Sequence, residues 1–201
     1  MIGIMGGTFN PIHYGHLIMC EFIREEFKLE RILFVPAQNP PHKGINLLAD
    51  AQDRLEMVKL AICSNPHFEA SEIEMNRPGV SYTIETLNEF GKQYNGEGRL
   101  NLIIGADSLM QLNTWKNYEE IIETADIIVV RRPDTKDLLL ELMIARLKDD
   151  YHARIYLSDA VAFDYSSTEI RRRIQSGLSI KYMVPEDVET YIVEHELYRS
   201  K

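Results

Sequence analysis

Short apolar segments alternate with longer amphipathic ones along the whole of this sequence, and no other feature constrains the fold as strongly. Six short segments are rich in Ile, Leu and Val, and several are apolar at almost every position, as is typical of strands covered on both faces. Seven longer segments have the apolar spacing of helices. The alternation predicts an α/β fold of the doubly wound type, with a mostly parallel sheet and helices on both faces.

The bounds of the elements follow from these patterns. The predicted strands are Ile2–Met5, Arg31–Val35, Phe68–Ile73, Leu100–Ile104, Asp126–Val130 and Arg154–Leu157. The predicted helices are Gly15–Phe27, Asp50–Ser64, Tyr82–Tyr94, Tyr118–Thr124, Asp137–Lys148, Ser167–Ser176 and Pro185–Leu197. Ser166, with Glu169 three residues later, predicts a capping box, and Gly177 predicts the end of that helix. Asp50 and Ser81 are the predicted caps of the second and third helices.

Length and charge limit the class of protein. With 201 residues, of which 45% are hydrophobic, the chain is long enough to bury a core without disulfides or a metal. We expect one domain over residues 1–201, with the C-terminal helices (166–197) packed on it, and two small domains as the alternative. Twenty-two basic and 31 acidic side chains give a net charge of −9. This charge disfavours binding to nucleic acid and leaves a small anionic ligand open.

Two further features concern the cell compartment. No apolar run approaches the ~18 residues of a membrane-spanning helix, and the first residues lack the pattern of a secretion signal. Cys20 and Cys63 belong to predicted helices and form no CxxC pair, so we expect reduced thiols in the core. The sequence therefore predicts a cytoplasmic protein without a membrane partner.

A glycine-rich turn joins the first predicted strand to the first helix. It runs through Gly6, Gly7, Thr8 and Phe9. Glycines let backbone N–H groups approach a phosphate, and the start of a helix adds a partial positive charge. The turn has neither the GxGxxG fingerprint nor the Gly-Lys-Ser/Thr of a P-loop, so it predicts a phosphate site of another type.

Two histidines, His13 and His16, stand at the entrance of this helix. Their spacing places both imidazoles on one face of the first turn. A zinc pair is disfavoured because no third ligand stands nearby at a suitable spacing. A structural pair, with one ring capping the helix and one ring packed, is the other alternative. Because the histidines follow a Gly-Gly-Thr turn, we favour a clamp in which both imidazoles hydrogen-bond to a polyphosphate.

A second polar motif lies near the other end of the sequence. Ser166, Ser167 and Thr168 open a predicted helix that carries Arg171, and hydroxyls with a guanidinium suit a phosphate. Together with the segment from Gly7 to His16, this motif resembles the signatures (T/G)xFxPxHxGH and (I/V)SSTxIR of the nucleotidyltransferase superfamily. The resemblance implies a Rossmann-like fold and transfer of a nucleotidyl group from a nucleoside triphosphate.

Motifs in the middle of the sequence narrow this resemblance. Over residues 1–197 the chain resembles bacterial nicotinate mononucleotide adenylyltransferases, with Tyr118 where relatives often carry a second tryptophan. The motifs are Pro40–Lys43, Ser81–Thr83, Gly105–Leu109, Thr114–Trp115 and Val130–Pro133. The resemblance implies that ATP, carrying Mg²⁺, reacts with nicotinate mononucleotide to give nicotinate adenine dinucleotide and pyrophosphate, a step of NAD biosynthesis.

The resemblance also divides the candidate site residues into two groups. The ATP group is Gly6, Gly7, Thr8, Phe9, His13, His16, Gly105, Asp107, Ser166, Ser167, Thr168 and Arg171. The mononucleotide group is Asn39, His42, Lys43, Tyr82, Thr83, Trp115 and Arg132. The candidate catalytic residues are His13, His16, Lys43 and Arg171. We expect no metal-binding cluster of protein side chains, because Mg²⁺ keeps mostly water and phosphate ligands.

Several alternatives stay open at this stage. Trp115, the only tryptophan, is either a core residue or a platform for a pyridinium ring. Lys43 is either a solvated lysine or a phosphate ligand. Nicotinamide mononucleotide or another phosphate monoester is the alternative acceptor, and a nucleotide-binding module without activity is the alternative outside enzymes. The sequence leaves open whether the protein is a homodimer.

Overall fold

Six parallel strands form one sheet in the computed structural model, which describes residues 1–40, 47–94, 98–131, 138–160 and 166–199. The strands are β1 (Ile2–Gly7), β2 (Arg31–Pro36), β3 (Phe68–Ala70), β4 (Leu100–Gly105), β5 (Ala125–Val130) and β6 (Ile155–Ser158). Their order is β3-β2-β1-β4-β5-β6, and all five neighbouring pairs are parallel. The predicted α/β class is confirmed. The strand order reverses between β1 and β4, where open sheets of this kind bind ligands.

Helices connect the strands on both faces of the sheet. They are α1 (Tyr14–Glu26), α2 (Ala51–Ile62), α3 (Thr83–Gln93), α4 (Ala106–Met110), α5 (Tyr118–Thr124), α6 (Leu138–Tyr151), α7 (Ser167–Gln175) and α8 (Glu186–Glu194), with a 3₁₀ turn at Leu112–Thr114. All seven predicted helices are present with slightly different ends. Helix α4 and the 3₁₀ turn were not predicted, because five and three residues are too few to show a helical period.

One predicted strand is too long by three residues. The strand predicted for Phe68–Ile73 ends at Ala70. The hydroxyl of Ser71 accepts a hydrogen bond from the N–H of Ile73 at 3.4 Å. A serine side chain that binds the backbone two residues ahead turns the chain away from extended geometry.

The ends of α7 agree with the sequence in part, since Ser166 caps the helix and Gly177 follows it, while the described contacts of the Glu169 carboxylate do not include the return bond to Ser166 that a capping box requires. The Oγ of Ser166 accepts the N–H of Glu169 at 3.1 Å, while the Glu169 carboxylate pairs with Arg172 at 2.7 Å. Gly177 follows the helix with φ of +67°, and the N–H of Leu178 returns to the helix there, at 2.8 Å from a carbonyl. A left-handed residue at this position is the usual place for glycine.

The other two predicted caps are wrong. Asp50 precedes α2, but its side chain caps none of the described amides of that helix. Helix α3 begins one residue later than a Ser81 cap requires, since Tyr82 holds the cap position. The Oγ of Ser81 instead accepts the N–H of Asn39 at 3.4 Å. Ser81 lies beside the loop that follows β2, so its hydroxyl binds that loop rather than the start of its own helix.

The core consists of one layer on each face of the sheet. Along β5, Ile127 and Val129 pack in the layer with α3, α5 and α6, while Ile128 and Val130 pack in the layer with α1, α2, α7 and α8. Side chains alternate between faces along a strand, so a strand covered on both sides is apolar at every position. Cys20 is buried in the second layer as expected, but Cys63 is exposed, because it follows the last turn of α2. Within the described residues, no helix has both the length and the apolar character to cross a membrane.

Candidate active site

A cavity of about 420 Å³ opens at the carboxyl edge of the sheet, where β1 and β4 lie side by side. Its floor is apolar and comes from the strands, and its walls come from the β1 turn, the start of α3 and the segment after α4. The polar or glycine positions in its lining include Gly6, Gly7, Thr8, Glu74, Ser81, Thr83, Thr86, Gly105, Ser108 and Lys116. The switch in strand order thus places the cavity beside the glycine-rich turn.

The glycine-rich turn is shaped by the packing of Phe9. A Cβ on Gly7 would lie 3.1 Å from the Phe9 ring, whereas a Cβ on Gly6 would meet nothing within 4 Å. Phe9 is buried with φ of +47°, and its ring contacts the His16 ring edge-on, with 5.2 Å between the ring centroids. Phe9 therefore packs against both the glycine-rich turn and the His16 ring. Phe9 belongs to the predicted ATP group, and these contacts indicate that it would act there by packing against other residues of the group.

The imidazoles of His13 and His16 are stacked, with centroids 3.8 Å apart and planes 26° from parallel. The backbone N–H of His13 donates to Nδ1 of His16 at 3.3 Å, so a neutral His16 ring carries its proton on Nε2. Burial lowers the pKa of His13 to about 4. Burial, and then the neighbouring His13, lowers the pKa of His16 well below its ordinary value. At neutral pH both rings are therefore uncharged, and they offer N–H groups rather than cations.

The start of helix α1 is less open than the sequence suggested. The N–H of Tyr14 donates to the carbonyl of Met183 at 3.0 Å. That carbonyl belongs to the segment between α7 and α8, whose position beside α1 does not follow from any pattern in the sequence. The N–H of His16 returns to the carbonyl of His13 at 3.0 Å. A phosphate at this helix end would thus meet His16 more readily than the amide of Tyr14.

The two signature motifs meet in the structure. The hydroxyl of Ser167 donates to the carbonyl of Pro11 at 2.9 Å. The Arg171 guanidinium donates to the carbonyl of Asn10 at 2.8 Å and to Oγ1 of Thr168 at 3.3 Å. Residues more than 150 positions apart therefore form one surface. Arg171 is half-buried, and Thr168 is exposed; Ser166, the cap of α7, is exposed as well.

The candidate residues of the mononucleotide group lie across the cavity. Trp115 lines it, is partly buried, and also packs against the core layer of α3, so both interpretations of this ring describe part of its environment. Tyr82 and Thr83 line the cavity at the start of α3. The ammonium of Lys116 lies 4.3 Å from the centre of the Tyr82 ring and pairs with Glu85 at 2.7 Å.

Other predicted residues lie at the margin of this cavity or outside the described chain. The amide of Asn39 donates to the carbonyl of Gly79 at 2.9 Å, which holds two loops together. Gly105 lines the cavity, while Asp107 is exposed in the first turn of α4 and is not among the described residues of the lining. Three predictions, His42, Lys43 and Arg132, fall outside the described residues.

Sequence reasoning missed a buried polar pair in the cavity wall. The hydroxyl of Thr86 donates to the carboxylate of Glu74 at 2.6 Å, and both residues are buried. Arg77 donates to the same hydroxyl at 3.0 Å. The only sign of this pair in the sequence is a threonine on the apolar face of a helix. Such a threonine indicates a buried polar contact only once the packing of the helix is known. Across the described parts of the chain, no three His, Cys, Asp or Glu side chains are grouped to hold a metal ion.

Comparisons with known proteins agree with this geometry. The model of the cytidylyltransferase-like family matches residues 4–173. A protein of Thermoanaerobacter sp. (strain X514) named "Probable nicotinate-nucleotide adenylyltransferase" is 42% identical over 199 residues, which cover 99% of this chain and 94% of the relative. A protein of the same name from Moorella thermoacetica is 42% identical over 200 residues, covering 100% and 92%. The chain belongs to the nicotinate-nucleotide adenylyltransferase family.

The fold of this adenylyltransferase family member is shared with more distant structures. A Plasmodium falciparum nicotinic acid mononucleotide adenylyltransferase complexed with NaAD superposes with a TM-score of 0.80 at 19% identity, covering 98% of this chain and 96% of the other. The same enzyme complexed with APC gives a TM-score of 0.77 at 18% identity, with the same coverage. The architecture therefore extends over the whole length of both chains.

The buried neutral histidine makes stability depend on pH in a known direction. Because the pKa of His13 is about 4 in the folded protein and 6.5 ordinarily, only the unfolded state binds this proton between those values. The free energy of unfolding should therefore be highest above pH 6.5 and fall as the pH drops towards 4, by ~3 kcal/mol for this group. Urea unfolding at pH 7 and 4.5 should show a smaller loss for His13→Asn than for the wild type. Equal losses would contradict a buried, neutral His13.

Proposed function

We propose that the protein transfers the AMP moiety of ATP to the 5′-phosphate of nicotinate mononucleotide, giving nicotinate adenine dinucleotide and pyrophosphate for NAD biosynthesis. The observation that carries this proposal is the meeting of two polar motifs at the carboxyl edge of the sheet. His13 and His16 follow the β1 turn, and Ser167 and Arg171 bind the backbone of the same turn. The full-length identity to nicotinate-nucleotide adenylyltransferases supports it.

The nucleophile in this reaction needs no activation by the protein. A phosphate monoester has a second pKa of ~6, so an oxygen of the mononucleotide phosphate is already ionised near neutral pH. This oxygen attacks the α-phosphorus of ATP, and the bond from that phosphorus to the bridging oxygen breaks and releases pyrophosphate. The work left to the protein is to align two anions and to stabilise the charge that develops between them.

We assign the phosphate contacts of ATP to the turn and to α7. The Nε2–H of His16 is free of the helix backbone and donates to the α-phosphate, while Arg171 with Ser166, Ser167 and Thr168 holds the leaving β- and γ-phosphates. A neutral imidazole suits the first task, because it donates a hydrogen bond without needing to be protonated. Lys43 remains a predicted ligand of the incoming phosphate.

A divalent cation belongs to this proposal as the companion of ATP, and we infer that it is Mg²⁺. Mg²⁺ keeps several water ligands and binds substrate phosphates rather than cages of protein side chains. The polar surface near the turn, made of hydroxyls, imidazoles and a guanidinium, leaves the phosphate oxygens free to take the ion. Its chemistry would be to neutralise charge on the triphosphate.

The pyridine ring belongs on the other side of the cavity. The exposed part of Trp115 offers a flat face, and an indole attracts a cationic ring by stacking and cation–π interaction. The start of α3 at Tyr82 and Thr83 turns the partial positive charge of a helix N-terminus towards this wall, while the ammonium of Lys116 beside it is paired with Glu85. A ring carboxylate is favoured there over a neutral carboxamide.

We further propose that residues 1–201 form one domain. Side chains of α7 and α8, such as Ile170 and Val188, pack in the same apolar layer as Cys20 of α1 and Met57 of α2. A C-terminal unit with its own core would not share this layer with the first half of the chain.

The acceptor is tested by pyrophosphate release from ATP with a panel of nicotinate mononucleotide, nicotinamide mononucleotide and phosphopantetheine. We expect kcat/KM for the acid to exceed that for the amide by ~10²–10⁴, because an amide NH₂ facing two donors leaves each of them unsatisfied, at ~1–3 kcal/mol each. A ratio within threefold of unity would exclude a carboxylate site. A preference for phosphopantetheine would exclude the proposed function.

The phosphate clamp is tested with His16→Ala. Loss of one donor used in the transition state lowers kcat by ~10²–10³, and we expect smaller changes in KM for either substrate. His16→Gln should retain more activity, because its amide N–H reaches close to the position of Nε2. Steady-state kinetics and thermal unfolding of both variants separate a lost donor from a lost fold. Turnover near the wild-type value in His16→Ala would remove this assignment.

The stacking platform is tested with Trp115→Ala. Stacking on an aromatic side chain is worth ~1–3 kcal/mol, so KM for the mononucleotide should rise roughly 5- to 150-fold, with KM for ATP nearly unchanged. Trp115→Phe should recover much of this loss. An equal rise in both KM values, or unfolding of the alanine variant, would show that the ring acts mainly as a core residue.

A further inference from the structure

Helix α2 carries a buried arginine that belongs to none of the motifs described above. Arg54 is 1% exposed and is the largest of the fully buried side chains in the described part of the chain. Burial lowers the pKa of its guanidinium. A buried charge is retained only where hydrogen bonds satisfy it, so the partners of Arg54 indicate its purpose.

Within the described residues, the Arg54 guanidinium makes four hydrogen bonds, and all of them go to backbone carbonyls. Nε donates to Ala49 at 3.1 Å, Nη1 donates to Thr8 at 2.8 Å and to Ala37 at 2.6 Å, and Nη2 donates to Gln38 at 3.1 Å. Thr8 lies in the turn after β1, Ala37 and Gln38 follow β2, and Ala49 precedes α2. One side chain therefore joins three backbone segments.

Two of these segments are phosphate-binding segments in the proposed function. The turn with Thr8 receives the donor phosphates, and the segment that begins at Ala37 leads to the predicted acceptor ligand Lys43. The two segments also bind each other directly, through the N–H of Ala37 and the carbonyl of Gly7 at 2.9 Å. The relative position of the two phosphates thus depends on this junction.

The far end of the second segment is tied to the same turn. The Asn10 side chain accepts the N–H of Ala49 at 3.1 Å and donates to the carbonyl of Leu47 at 3.1 Å. Residues 37–38 are therefore held to the β1 turn through Arg54, and residues 47–49 are held to it through Arg54 and Asn10.

The direction of the carbonyls matters as well as their position. Thr8 and Ala37 line the cavity, whereas Arg54 is not among the described residues that do so. Their carbonyl oxygens therefore point behind the cavity wall. In a trans peptide the C=O and the following N–H point in opposite directions. Arg54 keeps oxygens, which would repel phosphate, turned away from the site.

We propose that Arg54 is a positioning residue for the transfer reaction, which sets the separation of the donor and acceptor phosphate segments through their carbonyls. The inference rests on the proposed function and adds to it a residue that touches neither substrate. A guanidinium suits this task because it presents five N–H donors in a fixed planar fork. A lysine ammonium at the same place cannot reach carbonyls on both sides of the fork.

The experiment compares Arg54→Lys with a matched control. The control is Arg99→Lys, the same substitution at the amino edge of the sheet. There Arg99 binds the Asp126 carboxylate at 2.6 Å and the Ala125 carbonyl at 3.3 Å. A misplacement of about 1 Å costs ~10² in rate. We expect kcat of Arg54→Lys to fall about 100-fold with KM for ATP and nicotinate mononucleotide within threefold, and kcat of Arg99→Lys to be unchanged.

A second measurement does not depend on activity. Hydrogen exchange at the amides of Ala37 and Ala49 should be at least tenfold faster in Arg54→Lys than in the wild type and unchanged in Arg99→Lys. If Arg54→Lys does not fold, Arg54→Ala with added methylguanidinium replaces it, and partial recovery of kcat is the expected result.

The outcomes separate the two proposals. A wild-type protein that releases no pyrophosphate with nicotinate mononucleotide overturns the proposed function, and the structural role of Arg54 is then decided by hydrogen exchange alone. A kcat of Arg54→Lys within threefold of the wild type, an equal loss in Arg99→Lys, or unchanged exchange at both amides overturns the role of Arg54.

Discussion

The site depends on the way in which the backbone between β1 and α1 is held. Three successive parts of this short segment offer carbonyls to side chains from elsewhere: Thr8 to Arg54, Asn10 to Arg171, and Pro11 to Ser167. Backbone groups buried without partners are costly, so these donors stabilise a turn that makes little regular structure of its own. Because the donors come from α2 and α7, the turn keeps its shape only when both helices are packed on the sheet.

The same packing explains why the two histidines are neutral. The Phe9 ring contacts the His16 ring edge-on, and the His13 ring is stacked on the His16 ring. This environment lowers the pKa of both imidazoles, and it also prevents rotation of the His16 ring. Both rings are uncharged, and their N–H groups point in fixed directions. In a site that binds a polyanion, fixed N–H donors stabilise charge without the reorganisation that water or a mobile cation requires.

The sequence predicted the parts of this protein that depend on local periodicity. The six strands and seven helices followed from the apolar patterns, and the signatures located His16 and Arg171. It did not predict Met183 beside α1 or the carbonyl contacts of Arg54, because these depend on contacts between distant segments, and it did not predict α4, because five residues are too few to show a helical period. Ser81 shows the same limit, since its hydroxyl accepts the N–H of Asn39 in a neighbouring loop instead of capping its own helix. The positions of Lys43, His42 and Arg132 remain predictions.

The charge of the whole chain has to be reconciled with two anionic substrates. A net charge of −9 repels phosphates at long range, but salt screens that field beyond ~8–10 Å. Beside the cavity, the segment between β1 and α1 carries the uncharged imidazoles of His13 and His16, and its carbonyls bind Arg171 and Arg54. Many of the carboxylates form ion pairs at the exposed surface, such as the pair of Glu169 with Arg172. Two guanidinium groups are held beside the turn by hydrogen bonds, and Glu74, a buried carboxylate of the cavity lining, is paired with Arg77 at 3.9 Å. The local potential at the turn therefore favours phosphate in an acidic protein.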